Sequence, residues 1–140
     1  MTQDRKNLII ELNKDLEWEY AAAIQYVQHA TVISGPEYES IQKELIIHSR
    51  EEMQHAVMVS EQIDFLGGVP TVDVEQIDVS PKSLEMLRQD LKGEDNAIVR
   101  YKERIYQAEQ LREYGLRRII EDILIQEEEH KRDLLTVIVG

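Results

Sequence analysis

Apolar residues recur every three or four positions along most of the chain, with polar residues between them. This spacing places the apolar side chains on one face of a helix, so it predicts amphipathic α-helices. Glycine and proline interrupt the pattern at residues 34–37, at 67–70, at 80–81 and at Gly115. We therefore predict four helices, near residues 4–33, 37–66, 81–113 and 116–138.

The segment between the second and third predicted helices determines how the helices are arranged. Residues 67–80 form a polar, β-branched stretch that can span about 46 Å when it is extended. A helix of about 28 residues is about 42 Å long, so this segment can run the whole length of a bundle. Ser80 and Pro81 are expected to begin the third helix as its N-cap and first helical residue. The sequence thus predicts an all-α four-helix bundle with one long crossover between helices 2 and 3.

The two halves of the chain repeat one pattern of acidic and histidine residues. A Glu-x-x-His motif occurs on predicted helix 2 and again on predicted helix 4, and a glutamate precedes both motifs at the same spacing. The residues are Glu19, Glu52 and His55 in the first half and Glu94, Glu127 and His130 in the second. The same difference in residue number separates Glu19 from Glu94, Glu52 from Glu127 and His55 from His130. We call this difference the repeat offset. The match extends to Ala22 and Tyr26, which recur as Ala97 and Tyr101. Two similar helical hairpins are therefore predicted to share one site.

All six of these acidic and histidine residues fall on the apolar faces of their helices, where an unpaired carboxylate costs several kcal/mol. Protonated acids or ion pairs with lysine or arginine are the alternatives, but no basic residue occupies these apolar faces. Two divalent cations would neutralise four carboxylates. A mixed carboxylate and imidazole set suits iron or manganese, and zinc less well, whereas calcium and magnesium do not normally take histidine. We predict a di-metal site, with redox-active iron as the first choice.

Composition limits the remaining classes of function. The 140 residues are expected to form one domain, residues 1–140, and the absence of cysteine excludes disulfides, zinc–thiolate sites and iron–sulfur clusters. No apolar run resembles a signal peptide or a membrane span, so a cytoplasmic location without a membrane partner is expected. The formal charge of −12 disfavours nucleic acid and anionic membranes as partners. Solubility alone would also explain such an acidic surface.

Several further segments carry a family resemblance that runs from about residue 8 to residue 138. They are Leu12–Lys14, Glu19–Ala30, Glu52–Ala56, Phe65–Pro70, Glu85–Leu91 and Glu127–His130. With these segments the chain resembles the ferritin-like di-iron carboxylate proteins, and among them the bacterioferritins most closely. The resemblance implies a ferroxidase that binds two Fe(II) ions per subunit and oxidises them with O2 or H2O2, for iron storage or detoxification.

The resemblance also implies a role for each site residue. Glu52 and Glu127 would bridge the two irons, Glu19 and Glu94 would be terminal carboxylates, and His55 and His130 would each bind one iron. Tyr26 matches a tyrosine that the family keeps beside the site, where it could supply an electron or hydrogen-bond a ligand; packing in the core is the alternative. We interpret Tyr101 as a core residue. His29 and His48 are interpreted as core histidines with satisfied hydrogen bonds, and support of a ligand of the site is the alternative for both.

Assembly and haem binding follow from the same resemblance. It implies at least a homodimer formed through the first two helices, and Met53 matches the methionine through which bacterioferritins bind haem between two subunits. A methionine that fills a gap between subunits is the alternative. The family's fifth helix has no counterpart before Gly140, so the resemblance does not decide whether a closed cage forms. Ile47 and Glu51 stand where the family keeps a histidine and an acid on the inner cage surface.

Two other functions remain compatible with the sequence. Rubrerythrin-like peroxidases and manganese catalases use similar bundles, although rubrerythrins usually add another carboxylate and a cysteine-rich iron domain. Alternatively, the bundle binds metal without catalysis, and the metal only stabilises the fold. Metal-dependent melting without O2 consumption would indicate this last role.

Overall fold

A computed structural model describes residues 1–138, in which nearly all regular structure is α-helical. The helices are α1 (Gln3–Val32), α2 (Glu39–Phe65), α3 (Ser83–Gln110) and α4 (Tyr114–Ile138), with a short 3-10 turn at Pro36–Tyr38. No strand occurs within the described range. The prediction of an all-α four-helix bundle is confirmed. None of these helices is long and apolar enough to cross a membrane.

The four helices form two hairpins that pack on each other. Helix α1 packs against α2 and α3 against α4, while contacts of α1 with α3 and of α2 with α4 close the bundle. The apolar interior is divided into two clusters, one that includes Leu12 and Ile120 and one that includes Leu45 and Leu134. The predicted site residues lie between them, so the polar centre has an apolar layer on either side.

The crossover follows α1 along the bundle, in the same direction as the helix. Near its start, Asn13 Nδ2 donates a hydrogen bond to the carbonyl oxygen of Val69 at 3.1 Å. Near its end, the backbone N–H of Asp78 donates to Gln25 Oε1 at 2.9 Å. The segment thus spans the bundle as predicted, and it leaves α2 and α3 parallel.

The predicted start of the third helix is wrong by two residues. Helix α3 begins at Ser83, with Lys82 as its N-cap, and not at Pro81 after a Ser80 cap. The hydroxyl of Ser80 instead accepts a hydrogen bond from the backbone N–H of Lys82 at 3.1 Å, which closes a turn ahead of the helix. A serine side chain can accept a hydrogen bond from the backbone N–H two residues further on, and this local turn competes with its use as a helix N-cap.

The break between α3 and α4 also differs from the prediction. Helix α3 ends at Gln110, not at residue 113, and Gly115 lies inside the first turn of α4. The chain turns at Arg112, which takes a left-handed conformation with φ 57°. The remaining ends of the helices lie within two residues of the predicted ones. Helix ends depend on local capping, which a periodic pattern does not encode.

Candidate metal centre

The six residues singled out by the repeat meet at the middle of the bundle, and none is more than 2% exposed. Each helix contributes: α1 gives Glu19, α2 gives Glu52 and His55, α3 gives Glu94, and α4 gives Glu127 and His130. We call these six side chains the central cluster. They form two groups of four in which all the ligand atoms lie within 4.8 Å of one another. Glu52 and Glu127 belong to both groups, which places them between the two positions.

Each histidine points its Nδ1 atom at three carboxylates. His55 Nδ1 lies 3.2 Å from Glu52, 3.4 Å from Glu127 and 3.6 Å from Glu19. In the other group, His130 Nδ1 lies 3.3 Å from Glu127, 3.4 Å from Glu94 and 3.5 Å from Glu52. The two halves of the centre therefore have the same composition and nearly the same geometry.

Several carboxylate oxygens of the central cluster are buried but accept no hydrogen bond of standard geometry. They are one oxygen each of Glu19, Glu52 and Glu94 and both oxygens of Glu127. Buried polar atoms are nearly always satisfied in folded proteins, so a group of unsatisfied acceptors needs a partner. Divalent cations supply one, because they take carboxylate oxygens and imidazole nitrogens as ligands. The residues of the central cluster thus fit two such ions.

The electrostatics of the central cluster also favour bound positive charge. Burial, together with the charge of Glu127, raises the pKa of Glu94 to about 8 and raises the pKa of Glu52 well above its usual range. Burial by itself lowers the pKa of His55 and His130, but the surrounding carboxylates outweigh it and raise these pKa values to about 11 and about 12. Positive charge, either as protons or as metal cations, therefore stabilises the carboxylates of the centre.

Two tyrosines connect the halves of the centre crosswise. The Tyr26 hydroxyl donates to Glu94 Oε1 at 2.8 Å, and the Tyr101 hydroxyl donates to Glu19 Oε1. Both tyrosines are buried. The interpretation of Tyr101 as a core residue is therefore incomplete, because its hydroxyl also holds a carboxylate of the centre. The internal repeat was the signal for this role, since the repeat offset relates Tyr101 to Tyr26.

A second crossed pair joins α1 to α3 beside the centre. Arg104 binds Asp15 with two hydrogen bonds of 2.6 and 3.1 Å, and His29 Nδ1 lies 2.9 Å from Asp90. The repeat offset again relates these residues, Asp15 to Asp90 and His29 to Arg104. His29 also donates from Nε2 to the carbonyl oxygen of Asp78 at 3.0 Å, so its interpretation as a core histidine agrees with the structure.

The Nε2 atoms of both histidines, on the side of the ring that faces away from the central cluster, contact a hydrogen-bonded pair of residues that joins α2 to α4. His55 Nε2 lies 2.5 Å from Gln126 Oε1, and His130 Nε2 lies 3.2 Å from Glu51 Oε1. The amide of Gln126 donates to the other oxygen of Glu51 at 2.6 Å. Gln126 was not predicted from the sequence, and Glu51 was noted there only as the residue at which bacterioferritins keep an acid on the inner cage surface.

His48 contacts the centre, which agrees with the alternative to its interpretation as a core histidine. Its ring stacks on that of His130, with centroids 4.0 Å apart, and its Nε2 lies 3.0 Å from Asp133 Oδ2. With Glu44 and Asp133 it forms a third group whose ligand atoms lie within 4.8 Å. His48 therefore supports the His130 ring and links it to the surface between α2 and α4.

A cavity of about 200 Å³ connects the centre with the surface between α1 and α3. Glu19 and Glu94 line its inner end, and Trp18 and Arg100 line its side, with the guanidinium carbon 5.3 Å from the indole centroid. Gly93 also lines the cavity, and the space beside it is open, because a Cβ added to this residue would meet no atom within 4 Å. The cavity is large enough to admit water-sized molecules to the carboxylates.

Met53 does not contribute to the centre. It lies on α2 directly after Glu52, but its side chain turns outward and is 44% exposed. Ile47, which stands where bacterioferritins keep a histidine, is also 44% exposed. Both residues are available to a partner of the bundle.

The fold and the centre together define a four-helix bundle built around two adjoining carboxylate–imidazole positions, the arrangement of di-metal carboxylate proteins. A family model, the Ferritin-like domain, matches residues 9–139. A bacterioferritin from Brucella melitensis biotype 1 is 32% identical over 124 residues, which are 88% of this chain and 77% of that protein. The chain belongs to the ferritin-like family.

Solved structures agree with this assignment. A ferritin-like, diiron-carboxylate protein from Bacillus anthracis str. Ames superposes with a TM-score of 0.94 at 32% identity, covering 99% of each chain. The bacterioferritin-related protein from Bacteroides fragilis, described as a dodecameric thioferritin, superposes with a TM-score of 0.89 at 31% identity. That superposition covers 96% of this chain and 85% of the other.

Proposed function

We propose that this protein is a ferroxidase-type di-iron protein that binds two Fe(II) ions per chain and oxidises them with O2 or H2O2. The observation that carries the proposal is the central cluster itself. Four carboxylates and two imidazoles lie together in the core, and five of the carboxylate oxygens are buried without a hydrogen bond. A purely structural core has no use for four acids at one level that two histidines compensate only in part, because each buried carboxylate costs several kcal/mol.

In this proposal each residue of the central cluster has one role. Glu52 and Glu127 bridge the two ions, because only they belong to both groups of ligand atoms. Glu19 and His55 complete one position, and Glu94 and His130 complete the other. Two ferrous ions held together here would supply two electrons to the oxidant, which with two protons would reduce O2 to H2O2 or H2O2 to two molecules of water. The bridging glutamates hold the ions at that separation, about 3.5–4 Å in two-metal sites.

The surrounding residues prepare the centre for this reaction. Tyr26 and Tyr101 each hold one terminal carboxylate by its Oε1 atom, which leaves the Oε2 atom free to bind a cation. The cavity between α1 and α3 admits a small oxidant or an incoming ion without an opening of the bundle. Tyr26 is also placed to supply an electron, since its hydroxyl contacts Glu94 directly.

The test is oxidation of Fe(II) by the full chain. Two equivalents of Fe(II) are added without O2, air-saturated buffer is mixed in, and the ferric absorbance is followed by stopped flow. Glu52→Ala and Glu127→Ala should each abolish rapid oxidation, because a bridge serves both ions. Glu61→Ala, a change at an exposed position of α2, is the matched control and should not change the rate. Unchanged kinetics in either bridge variant would contradict the proposal.

Related assays separate the alternative functions. Rapid consumption of H2O2 by the Mn(II)-loaded protein, without oxidation of Fe(II) by O2, would indicate a manganese catalase. Peroxide reduction that requires an external electron donor would indicate a rubrerythrin-like peroxidase. Metal that raises the melting temperature while no oxidant is consumed would indicate a bundle that uses metal only for stability.

We further propose a cytoplasmic protein that forms a homo-oligomer of at least two chains, assembled through α1 and α2. Exposed apolar side chains on these helices support the assembly, among them Ile24, Val27, Met53 and Val57. Haem binding between two copies of Met53 stays a prediction. Its test is purification from haem-sufficient cells, where a Soret band at one haem per dimer, lost in Met53→Leu, would establish it. A colourless protein that ignores added hemin would assign Met53 to packing between chains.

A further inference from the structure

The centre and its surroundings follow the repeat offset, and nearly every contact is doubled. Each tyrosine holds the terminal carboxylate of the opposite half. Each aspartate beside the centre pairs with a basic residue of the opposite half. Each imidazole contacts its own terminal glutamate and both shared glutamates. A centre built in this way would hold two equivalent ions if all the supporting residues matched.

The bridge behind the histidines breaks this equivalence. Positions 51 and 126 are also related by the repeat offset, but one holds glutamate and the other glutamine. His130 Nε2 faces a carboxylate oxygen of Glu51, whereas His55 Nε2 faces the amide oxygen of Gln126. Because each imidazole presents Nδ1 to the central cluster, Nε2 carries the proton and donates in both cases. The two rings thus have the same orientation but different acceptors behind them.

The difference in acceptor changes how strongly each imidazole binds a cation. A carboxylate that accepts the outer N–H of a ligating histidine raises the basicity of the ligand and fixes its orientation. A neutral amide oxygen also fixes the orientation of the histidine, but it raises the basicity of the imidazole less, because a hydrogen bond to an uncharged acceptor is weaker than one to a carboxylate. Glu51 also brings a negative charge close to the Glu94–His130 position, and Gln126 brings none to the Glu19–His55 position.

We propose that Glu51 and Gln126 make the two metal positions unequal, so that the first divalent cation binds at the Glu94–His130 position and the second at Glu19–His55. The inference rests on the proposed function in that it takes the central cluster as a two-metal centre. Glu51 and Gln126 act through the histidines, so they are positioning residues rather than ligands. An ordered loading of this kind keeps the first ion bound while the second position exchanges.

Among the other differences between the halves, His48 stacks on the His130 ring whereas its counterpart is Ile123, and the charges beside the centre do not oppose this order. The tyrosine contacts to Glu19 and Glu94 are equivalent. Arg104, with a permanent positive charge, lies in the half of Glu19, whereas the matching position near Glu94 holds the weaker base His29. Positive charge therefore disfavours a cation at Glu19–His55 more than at Glu94–His130. Both differences act in the same direction.

The test exchanges the two positioning residues. In Glu51→Gln/Gln126→Glu the amide still donates to the carboxylate and each histidine still has an oxygen acceptor, so the bridge is kept and only its polarity is reversed. The full-length protein is crystallised with one equivalent of Zn(II) per chain, and anomalous scattering at the zinc edge locates the ion. Wild type should show the ion at Glu94–His130, and the exchanged variant should show it at Glu19–His55.

A solution titration gives the size of the effect. Substitution of a residue that supports a metal ligand typically lowers metal affinity about 10- to 100-fold. Glu51→Gln should therefore weaken the first Zn(II) step at least about tenfold and make the two steps nearly equal. Glu61→Gln, an exposed change of the same charge on α2, should leave both steps as in wild type. Circular dichroism confirms that each variant is folded before it is titrated.

The outcomes distinguish this inference from the proposed function. Equal zinc occupancy in wild type, or an unchanged location in the exchanged variant, would overturn the ordered loading while the two-metal centre stands. Zinc bound away from both positions, or no bound zinc at all, would overturn the two-metal centre and the order together. A reversal of the occupied position cannot arise from a merely structural role of Glu51 and Gln126.

Discussion

The carboxylates of the central cluster should cost the metal-free protein stability, and Glu52 is the residue at which this cost is easiest to measure. Its side chain is 2% exposed, one of its oxygens accepts no hydrogen bond, and burial and the charges of Glu127 and Glu19 raise its pKa. Glutamine has nearly the same shape and carries no charge. We therefore expect Glu52→Gln to make the metal-free protein more stable.

The magnitude follows from the cost of burying charge. At pH 7 the buried Glu52 either stays ionised, which costs several kcal/mol even after relaxation, or takes up a proton against the ordinary pKa of a glutamate, and His55 and His130 offset part of that cost. A net gain of about 1–2 kcal/mol is expected, which corresponds to an increase in Tm of about 3–8 °C for a domain of this size. The metal-loaded protein should respond in the opposite direction, because the bridge between two cations is lost.

The assay is thermal unfolding followed by circular dichroism at pH 7, with EDTA and then with excess Co(II). Ligand at about 100 times its Kd stabilises a folded protein by about 2.7 kcal/mol, so Co(II) should raise the wild-type Tm clearly and that of Glu52→Gln much less. Glu61→Gln is the control, since an exposed change on α2 should stay within about 0.5 kcal/mol. A lower Tm of Glu52→Gln in EDTA, or an equal response to Co(II), would refute the reasoning.

Three further predictions concern the surroundings of the centre. Arg104→Ala should lower the free energy of unfolding by about 3 kcal/mol in urea titrations, because it removes both hydrogen bonds to the buried Asp15 and leaves it only the 3.4 Å contact with Arg100; a loss below about 1 kcal/mol would show that the pair is not important for stability. Tyr26→Phe should slow Fe(II) oxidation while two metal ions still bind, since it frees an oxygen of Glu94 without removing a ligand; unchanged oxidation rates would exclude a role for the hydroxyl. Light scattering should give a mass of at least twice 16.4 kDa, and a mass of one chain would contradict assembly through α1 and α2.

The sequence alone was sufficient to predict the four helices and the approach of the six residues of the central cluster to one another, because both depend on the periodicity and the spacing of residues along single helices. A 3.6-residue period fixes which face of a helix is buried, and a turn close to midway between Glu19 and Glu52 puts this pair at one level of an antiparallel hairpin. The equal spacing of Glu94 and Glu127 around the second turn does the same in the other hairpin. Buried acids at one level then need cations, whatever their detailed geometry. The function of these residues as ligands stays a prediction that metal binding must test.

Contacts between the halves were determined only by the tertiary structure. The repeat did not indicate that Tyr101 would hold Glu19 of the other half, because spacing along a helix fixes height and face but not the neighbour across the bundle. The bridge of Gln126 and Glu51 has the same origin, since it depends on how closely α2 and α4 approach. Periodicity along the chain is thus a property of single helices, whereas the surroundings of each ligand depend on how helices distant in sequence pack together.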